Sequence, residues 1–361
     1  MIRTLLTFVF SLFLSQTLFS QFTYDHLVVD YDAAITYKNL RLVPIRANYT
    51  FFEDATTHSQ TNPNTQNPNA SNPGNWEQSN PNQGGWDQRT PNQSNPNDLL
   101  SLQDALESGQ LTIRDRSGVN QLSIDNNSDR PVMLLSGEIL RGGKQDRVIG
   151  QDMVIPPNSR RNRVPVYCVE EKRWSAPKQW TYYHQGSMHL RRVVDQSQNQ
   201  GQVWNEIEYE LKRDNVQTKS KAYTAHSKNP QYASLEQEYI DAFVINNFSY
   251  PSNIIGVIGM SGSVVIGCDL FATTELFQRE YDSLIFSYVD EAITYGLPVD
   301  ITLSAAKQYA DKLLSNERMQ QAFIQQYGKM FIHDGKIIHI TTFNDRETLR
   351  DFEGLRNRSR M

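Results

Sequence analysis

The chain has only two cysteines, Cys168 and Cys268, and its seven histidines form no His-x-x-x-His pair. A structural zinc site needs a cluster of cysteine or histidine ligands, so the sequence indicates no metal. In an oxidising compartment the two cysteines can form a disulfide if their Cα atoms lie within about 7 Å. Each cysteine also lies in an apolar, strand-like run where a buried free thiol is common, so both alternatives stay open.

Positive charge is also scarce, with 35 Lys and Arg against 40 Asp and Glu and a formal net charge of -5. A nucleic-acid-binding surface needs a basic excess, so we expect no nucleic-acid partner. Beyond the amino end, no apolar run approaches the roughly 18 residues that span a bilayer. We therefore expect no membrane span in the mature chain.

The amino end carries the pattern of a secretory signal peptide. Arg3 supplies a positive charge, residues 5–14 are almost wholly apolar, and Ser20 is a small residue suited to the cleavage site. Removal of residues 1–20 leaves Gln21 as the new terminus. The prediction is a periplasmic or extracellular protein.

A low-complexity tract follows an initial strand region at 21–57. Residues 58–97 consist mainly of Asn, Pro, Gln, Gly and Ser, with repeated Asn-Pro-Asn units and almost nothing aliphatic to bury. We expect this insert to be disordered and dispensable for folding. Trp76 and Trp86 stand alone in it, either as contacts for a partner or as exposed aromatics in a tolerated loop.

Short apolar segments separated by turn residues fill residues 98–174. A helix is predicted at 98–109, and strands at 110–114, 122–124, 132–135, 147–149, 153–155 and 164–169. An Asn-Asn-Ser-Asp turn predicts a β-hairpin between strands 122–124 and 132–135. An edge or terminal strand is also predicted earlier, at 37–46, because Pro44 lies in it. Strand spacing of this kind favours an antiparallel β-sandwich-like half.

Residues 175–361 change towards helix and predict an α+β half. Apolar periodicity predicts helices at 202–213, 235–247, 274–294 and 304–314. Glycine-containing turns predict β-hairpins at 253–270 and 329–343. The fold class is therefore α+β, with a boundary between two domains near residue 174.

The densest cluster of charged residues and glycines is the segment 136–147. Glycines let the backbone approach a ligand, and Lys144, Gln145 and Arg147 can hold an anion. Glu138 follows an apolar run, where burial raises a carboxyl pKa into the range of a general base. The segment is a candidate site with Glu138 as its catalytic residue. The alternative is a loop whose charges pair internally and fix the strand connections.

Glu170, Arg173 and Trp174 end the predicted strand 164–169 and are candidate ligand-binding residues. A carboxylate beside an indole can hold a sugar or a base, which stacks on the ring. The alternative is a tryptophan that covers the core.

Asp269 is a candidate for burial, because it lies between Cys268 and Leu270 in an apolar strand. A buried carboxylate needs a cationic partner. We expect Lys144 or Arg147 to be that partner, which would join Asp269 to the candidate site.

Several blocks of the sequence are shared with a known family. The blocks are LLSGEIL at 134–140, GKQDR at 143–147, VYCVE at 166–170, RW at 173–174, QVWNEI at 202–207, GCDLF at 267–271, Tyr288, DEA at 290–292 and HITTF at 339–343. With them the chain resembles the ARG and rhodanese-phosphatase-superfamily-associated protein domain family over nearly all of its length outside the insert. The resemblance implies genomic company with ADP-ribosylglycohydrolases and phosphatase-like proteins, and hence a nucleotide, ADP-ribose or phosphoester context. It assigns no activity to the domain itself.

Two hypotheses on function remain. The first is an exported, non-catalytic binding or scaffold protein without a cofactor, whose partner is an anionic small molecule or another envelope protein. The alternative is a hydrolase of a phosphoester, nucleotide or ADP-ribose-like substrate that uses Glu138 with Lys144 and Arg147. Convergence of these three side chains with Asp269 or Glu170 in one open cleft would favour the hydrolase.

Overall fold

A computed structural model describes residues 22–48, 95–116, 118–173, 178–262, 264–296 and 303–343. The predicted signal peptide and residues 49–94, which hold most of the predicted insert, lie outside these ranges. Asn95 to Asn97, the end of the predicted insert, lie inside them, and Pro96–Asp98 forms a short 3-10 helix capped by the side chain of Asn95. The predicted α+β class, with a β-sandwich-like N-terminal half and an α+β C-terminal half, is confirmed.

The described residues form fifteen strands and seven α-helices, numbered in chain order. The strands are β1 Leu27–Val29, β2 Ile35–Tyr37, β3 Leu40–Ala47, β4 Leu111–Asp115, β5 Gln121–Asn126, β6 Val132–Leu134, β7 Glu138–Gly143, β8 Arg147–Ile149, β9 Met153–Ile155, β10 Ser159–Cys168, β11 Lys178–Gln185, β12 Ile254–Ser261, β13 Val264–Phe271, β14 Gly328–His333 and β15 Lys336–Phe343. The helices are α1 Leu102–Glu107, α2 Met188–Ser197, α3 Gln200–Arg213, α4 Pro230–Ala242, α5 Thr274–Tyr295, α6 Ser304–Leu314 and α7 Glu317–Tyr327.

A seven-stranded antiparallel sheet joins the early and late parts of the chain. Its order is β1-β3-β12-β13-β15-β14, and β2 pairs with β3 beyond the end of β1. The hairpins β12–β13 and β14–β15 are the two that the sequence predicted. Apolar side chains on one face pack against α5, and those on the other face pack against α6 and α7. Burial of both faces explains why β12 and β13 are apolar along most of their length.

Strand β3 lies inside this sheet, so the prediction of an edge or terminal strand at 37–46 is wrong. β1 pairs with residues 45–47 and β2 with residues 40–42, which leaves a gap beside Pro44. The N and C=O groups of one strand residue point to the same neighbouring strand. The Pro44 carbonyl points towards β1 and β2, where it accepts from the Asp30 N–H at 3.0 Å. The missing N–H of Pro44 therefore faces the gap, and the pairing with β12 is preserved.

A second antiparallel sheet has six strands in the order β11-β7-β8-β10-β5-β4, and a small sheet pairs β6 with β9. Val132 of β6 and Ile155 of β9 share one apolar cluster with Ile124 and Val164 of the larger sheet. The two sheets therefore pack face to face. On the opposite face, α2 and α3 cover β7 and β8.

The predicted hairpin between strands 122–124 and 132–135 is wrong. Both strands exist, but β5 pairs with β4 and β10, whereas β6 pairs with β9. The amide of Asn126 donates to the carbonyls of Arg130 at 2.8 Å and Pro156 at 3.0 Å. These bonds tie the turn after β5 to the end of β9, which directs β6 into the small sheet.

The first described element after residue 174 is a strand rather than a helix. β11 pairs with β7 and so extends the six-stranded sheet across the predicted domain boundary, which stays a prediction. The predicted helix at 202–213 is confirmed as α3. The helix predicted at 235–247 is α4, which spans Pro230–Ala242. It begins earlier because Asn229 caps its first turn and Pro230 occupies its first position.

Cys168 and Cys268 are both free and buried, in β10 and β13 respectively, so the free-thiol alternative is confirmed. Each cysteine lies in a different sheet. Within the described ranges, no helix combines the length and the apolar character that a bilayer crossing requires.

Candidate functional site

The segment 136–147 forms β7 and the turn into β8. Gly142 and Gly143 adopt φ values of +139° and +47°, which favour glycine. A Cβ atom on Gly142 would meet the Gln179 carbonyl at 2.6 Å, and one on Gly143 would meet the Trp180 ring at 2.2 Å. These glycines let β7 and β11 approach each other, which is a structural role.

Glu138 points into the protein interior and is 1% exposed. Its Oε2 accepts from the Leu135 N–H at 2.7 Å, and Tyr182 Oη lies 2.9 Å from its Oε1. Burial raises the pKa of Glu138 to about 8, although both hydrogen bonds act to lower it. The raised pKa agrees with the expectation for a carboxyl after an apolar run. The Tyr182 hydroxyl that bonds Glu138 also lies 2.6 Å from Ser283 Oγ.

Lys144 and Arg147 lie apart from Glu138. Lys144 is exposed and lines a cavity of about 560 Å³ together with Trp180. Arg147 is 2% exposed, and its Nη1 contacts Cys168 Sγ at 3.0 Å and Gln145 Oε1 at 3.2 Å. The Arg147 guanidinium therefore contacts residues in the interior of the six-stranded sheet.

Glu170 and Arg173 meet in an ion-pair network that the sequence predicted only in part. Arg173 Nε donates to Glu170 Oε2 at 2.5 Å, and its Nη2 donates to Asp146 Oδ1 at 2.7 Å. The buried amide of Gln145 donates to the Glu170 carbonyl at 2.7 Å and supports this arrangement from behind. Trp174 lies outside the described residues.

The Glu170–Arg173 network borders a cavity of about 260 Å³, which we call the polar cavity. Its charged and hydroxyl-bearing lining consists of Arg141, Asp146, Glu170, Arg173, Thr181, Thr224 and Lys228. The sequence analysis assigned no ligand-binding role to Arg141, Thr224 or Lys228. Arg141 belongs to the glycine-rich segment, but Thr224 and Lys228 come from a distant 3-10 turn, and no local pattern marks them.

Asp269 is fully buried, as predicted, but its partner is neither Lys144 nor Arg147. Arg191 of α2 forms two hydrogen bonds with it, from Nη2 to Oδ1 at 2.7 Å and from Nη1 to Oδ2 at 3.1 Å. His339 Nε2 lies 2.8 Å from Oδ1, and Tyr288 donates to Oδ2 at 2.6 Å. Burial would raise the pKa of Asp269, but the charge of Arg191 and these hydrogen bonds hold it well below its usual range.

The expectation of Lys144 or Arg147 as that partner is wrong because α2 places Arg191 directly over β13. Asp269 lies in the seven-stranded sheet, whereas Glu138 and Arg147 belong to the six-stranded sheet. The predicted residues do not converge in one open cleft. Glu170 and Arg173 reach the polar cavity, and the assigned roles of all these residues stay predictions.

A second polar group consists of His184 on β11, Glu236 on α4 and Asp290 on α5, which we call the His184 cluster. One ligand atom from each residue lies within 4.8 Å of the others, and all three residues are buried. Burial lowers the pKa of His184 to about 4, so its ring is neutral. Burial and the neighbouring Asp290 raise the pKa of Glu236 to about 9. Among the described residues, this is the group that can offer three ligand atoms to a metal ion.

The His184 cluster adjoins the polar cavity through one stacked pair. The Arg141 guanidinium lies 3.8 Å from the centre of the Tyr183 ring, and the Tyr183 ring lies 3.7 Å from the His184 ring. The sequence indicated no metal because the ligands of this cluster are separated by about fifty residues from one another along the chain. Of the sequence blocks shared with the family, only the one at 290–292 contains a residue of the His184 cluster, Asp290.

The fold and these polar groups define an α+β protein with two antiparallel sheet systems and several ion pairs in its interior. The family model of the ARG and Rhodanese-Phosphatase-superfamily-associated Protein domain matches residues 89–343, more than half of the 361-residue chain. The chain belongs to this family. No curated protein and no solved structure matches the chain.

Proposed function

We propose that the protein is an exported, non-catalytic binding protein that takes an anionic small molecule in the polar cavity. The observation that carries this proposal is the charge of the lining. Arg141, Arg173 and Lys228 supply three positive charges, whereas Asp146 and Glu170 supply two negative charges. The surplus positive charge favours a phosphate or carboxylate group.

The arrangement of Arg141 supports this choice of ligand. Its Nη2 donates to Ser227 Oγ at 2.6 Å, but its buried Nε has no hydrogen-bond partner in the protein. Arg173 is instead engaged by Glu170 and Asp146. The exposed Lys228 is therefore the donor that an entering anion can contact directly, and the charge of Arg141 adds to the attraction.

Binding rather than turnover is favoured by the place of Glu138. The carboxyl is not part of the lining of the polar cavity, and its side chain is buried. The association of the family with ADP-ribosylglycohydrolases and phosphatase-like proteins supports a phosphorylated ligand. The amino-terminal signal pattern supports export to the periplasm or the exterior.

The test is thermal stabilisation of the purified protein by inorganic phosphate, ADP-ribose and sugar phosphates. A ligand present at a hundred times its Kd and bound only to the folded state stabilises by about 2.7 kcal/mol. We expect Lys228→Ala and Arg141→Gln to remove the stabilisation. Lys312→Ala, which changes an exposed lysine on α6, is the matched control and should retain it.

Stabilisation by none of these anions, or stabilisation that survives Lys228→Ala, contradicts the proposal. Each stabilising compound is also incubated with the protein and followed for release of phosphate or ribose. Turnover by the wild-type protein would replace the binding function with the hydrolase alternative.

A further inference from the structure

Three elements that are far apart in the sequence bring the His184 cluster together in the interior. His184 is 3% exposed, Glu236 8% and Asp290 3%. Buried polar atoms in folded proteins nearly always have a partner. In this cluster, His184 Nε2 and Glu236 Oε1 have no hydrogen-bond partner in the protein. Two buried, unsatisfied acceptor atoms within one group of ligands need an explanation.

The histidine is oriented as a ligand. Its Nδ1 lies 2.6 Å from the Gln185 carbonyl, which can only accept, so Nδ1 carries the proton and Nε2 carries the lone pair. The ring stacks on Phe286 at 4.2 Å with an interplanar angle of 7°. A backbone carbonyl on the distal nitrogen is the usual support of a metal-binding histidine, because it fixes the tautomer and the ring direction.

Two tyrosine hydroxyls fix the orientation of Asp290. Tyr223 donates to Asp290 Oδ2 at 2.6 Å, and Tyr232 donates to Oδ1 at 2.9 Å. These hydroxyls use one lone pair of each oxygen and leave others available.

We propose that His184, Glu236 and Asp290 bind one divalent transition-metal ion through one nitrogen and two carboxylate oxygens. An imidazole with two carboxylates suits Zn²⁺, Mn²⁺ or Fe²⁺ better than Ca²⁺ or Mg²⁺, which prefer oxygen ligands alone. Ligands about 2.1 Å from one ion lie about 3 to 3.4 Å apart. Separations of up to 4.8 Å close to that range through small side-chain rotations.

This metal site goes beyond the proposed binding function and does not depend on it. The ion would lie behind the wall of the polar cavity, since the rings of His184 and Tyr183 stack and Arg141 covers Tyr183. A cation there satisfies the two open acceptor atoms. Its positive charge also offsets the negative charge of the Glu236 and Asp290 carboxylates, which are buried next to each other.

The test is metal content after loading. The protein is unfolded, stripped with a chelator, refolded with Zn²⁺, Mn²⁺ or Co²⁺, and separated from free ion, because the ligands are buried in the folded state. We expect one equivalent of at least one of these ions per chain. His184→Gln and Glu236→Gln should each weaken binding by about tenfold or more. His333→Gln, which changes a partly exposed histidine on β14, is the matched control and should bind as the wild type does.

Glu236→Gln keeps the result interpretable if His184→Gln fails to fold, since glutamine matches the shape of a protonated glutamate. The visible spectrum of bound Co²⁺ adds a readout on the wild-type protein, because a nitrogen ligand shifts its bands from those of the aqueous ion. A wild-type protein that retains no ion overturns the proposal. Retention unchanged in Glu236→Gln, loss in His333→Gln, or a Co²⁺ spectrum like that of the aqueous ion overturns it as well.

Discussion

Buried Glu138 should make the stability of the protein depend on pH, and Glu138→Gln isolates its contribution. Burial raises the pKa of this carboxyl from 4.5 to about 8. The folded state therefore keeps a proton that the unfolded chain releases at lower pH. The contribution of Glu138 is fully present below the unfolded pKa and is lost as pH rises through the folded pKa.

The magnitude follows from the window between these two pKa values. Each pH unit changes the free energy of unfolding by about 1.36 kcal/mol. Between about pH 5 and about pH 8 the wild-type protein should lose about 4 kcal/mol from this group. Glutamine does not titrate, and its amide can accept from Leu135 and donate to the Tyr182 oxygen. The stability of Glu138→Gln relative to the wild type should therefore increase with pH.

The assay is urea unfolding of both proteins, followed by circular dichroism at several pH values in this window. Buried carboxyls that do not interact with Glu138, such as Glu236, titrate in both proteins and cancel in the difference at each pH. Glu280 does not cancel, because the charge of Glu138 raises its pKa, but its effect on the difference has the same sign. Glu107→Gln, on an exposed side chain of α1, is the control and should run parallel to the wild type. A constant difference between Glu138→Gln and the wild type would show that Glu138 is ionised in the folded protein, and it would refute this reasoning.

Two further predictions concern buried groups. Arg191→Met removes the bidentate partner of Asp269 and should cost about 3–5 kcal/mol in urea unfolding, because an unpaired carboxylate remains in the core; a variant as stable as the wild type contradicts the role of the pair. Cys168 and Cys268 are free and buried, so a thiol reagent should count two thiols after unfolding without reductant, and reductant should leave the Tm unchanged; fewer than two thiols contradicts this.

Elements with strong local signals were predictable from the sequence. α3 and α5 repeat apolar residues at helical spacing, and the β12–β13 turn contains glycine between two apolar strands. α2 and β11 were missed, because polar residues occupy some of their buried positions. Arg191 is buried in α2, and Ser187, the residue that caps α2, donates to Glu210. Such residues interrupt the apolar period, and only their distant partners make them fit a buried position.

The sequence by itself determined that Glu138 and Asp269 would be buried, because each lies beside or within an apolar run. It also identified the family, because the shared blocks lie along the chain. Only the tertiary structure decided that Arg191 pairs with Asp269, that Arg141 and Lys228 line one cavity, and which ligands form the His184 cluster. The physical reason is that an isolated carboxylate or imidazole has the same local chemistry wherever it occurs. Its partner is chosen by the packing of helices and strands that lie tens of residues away.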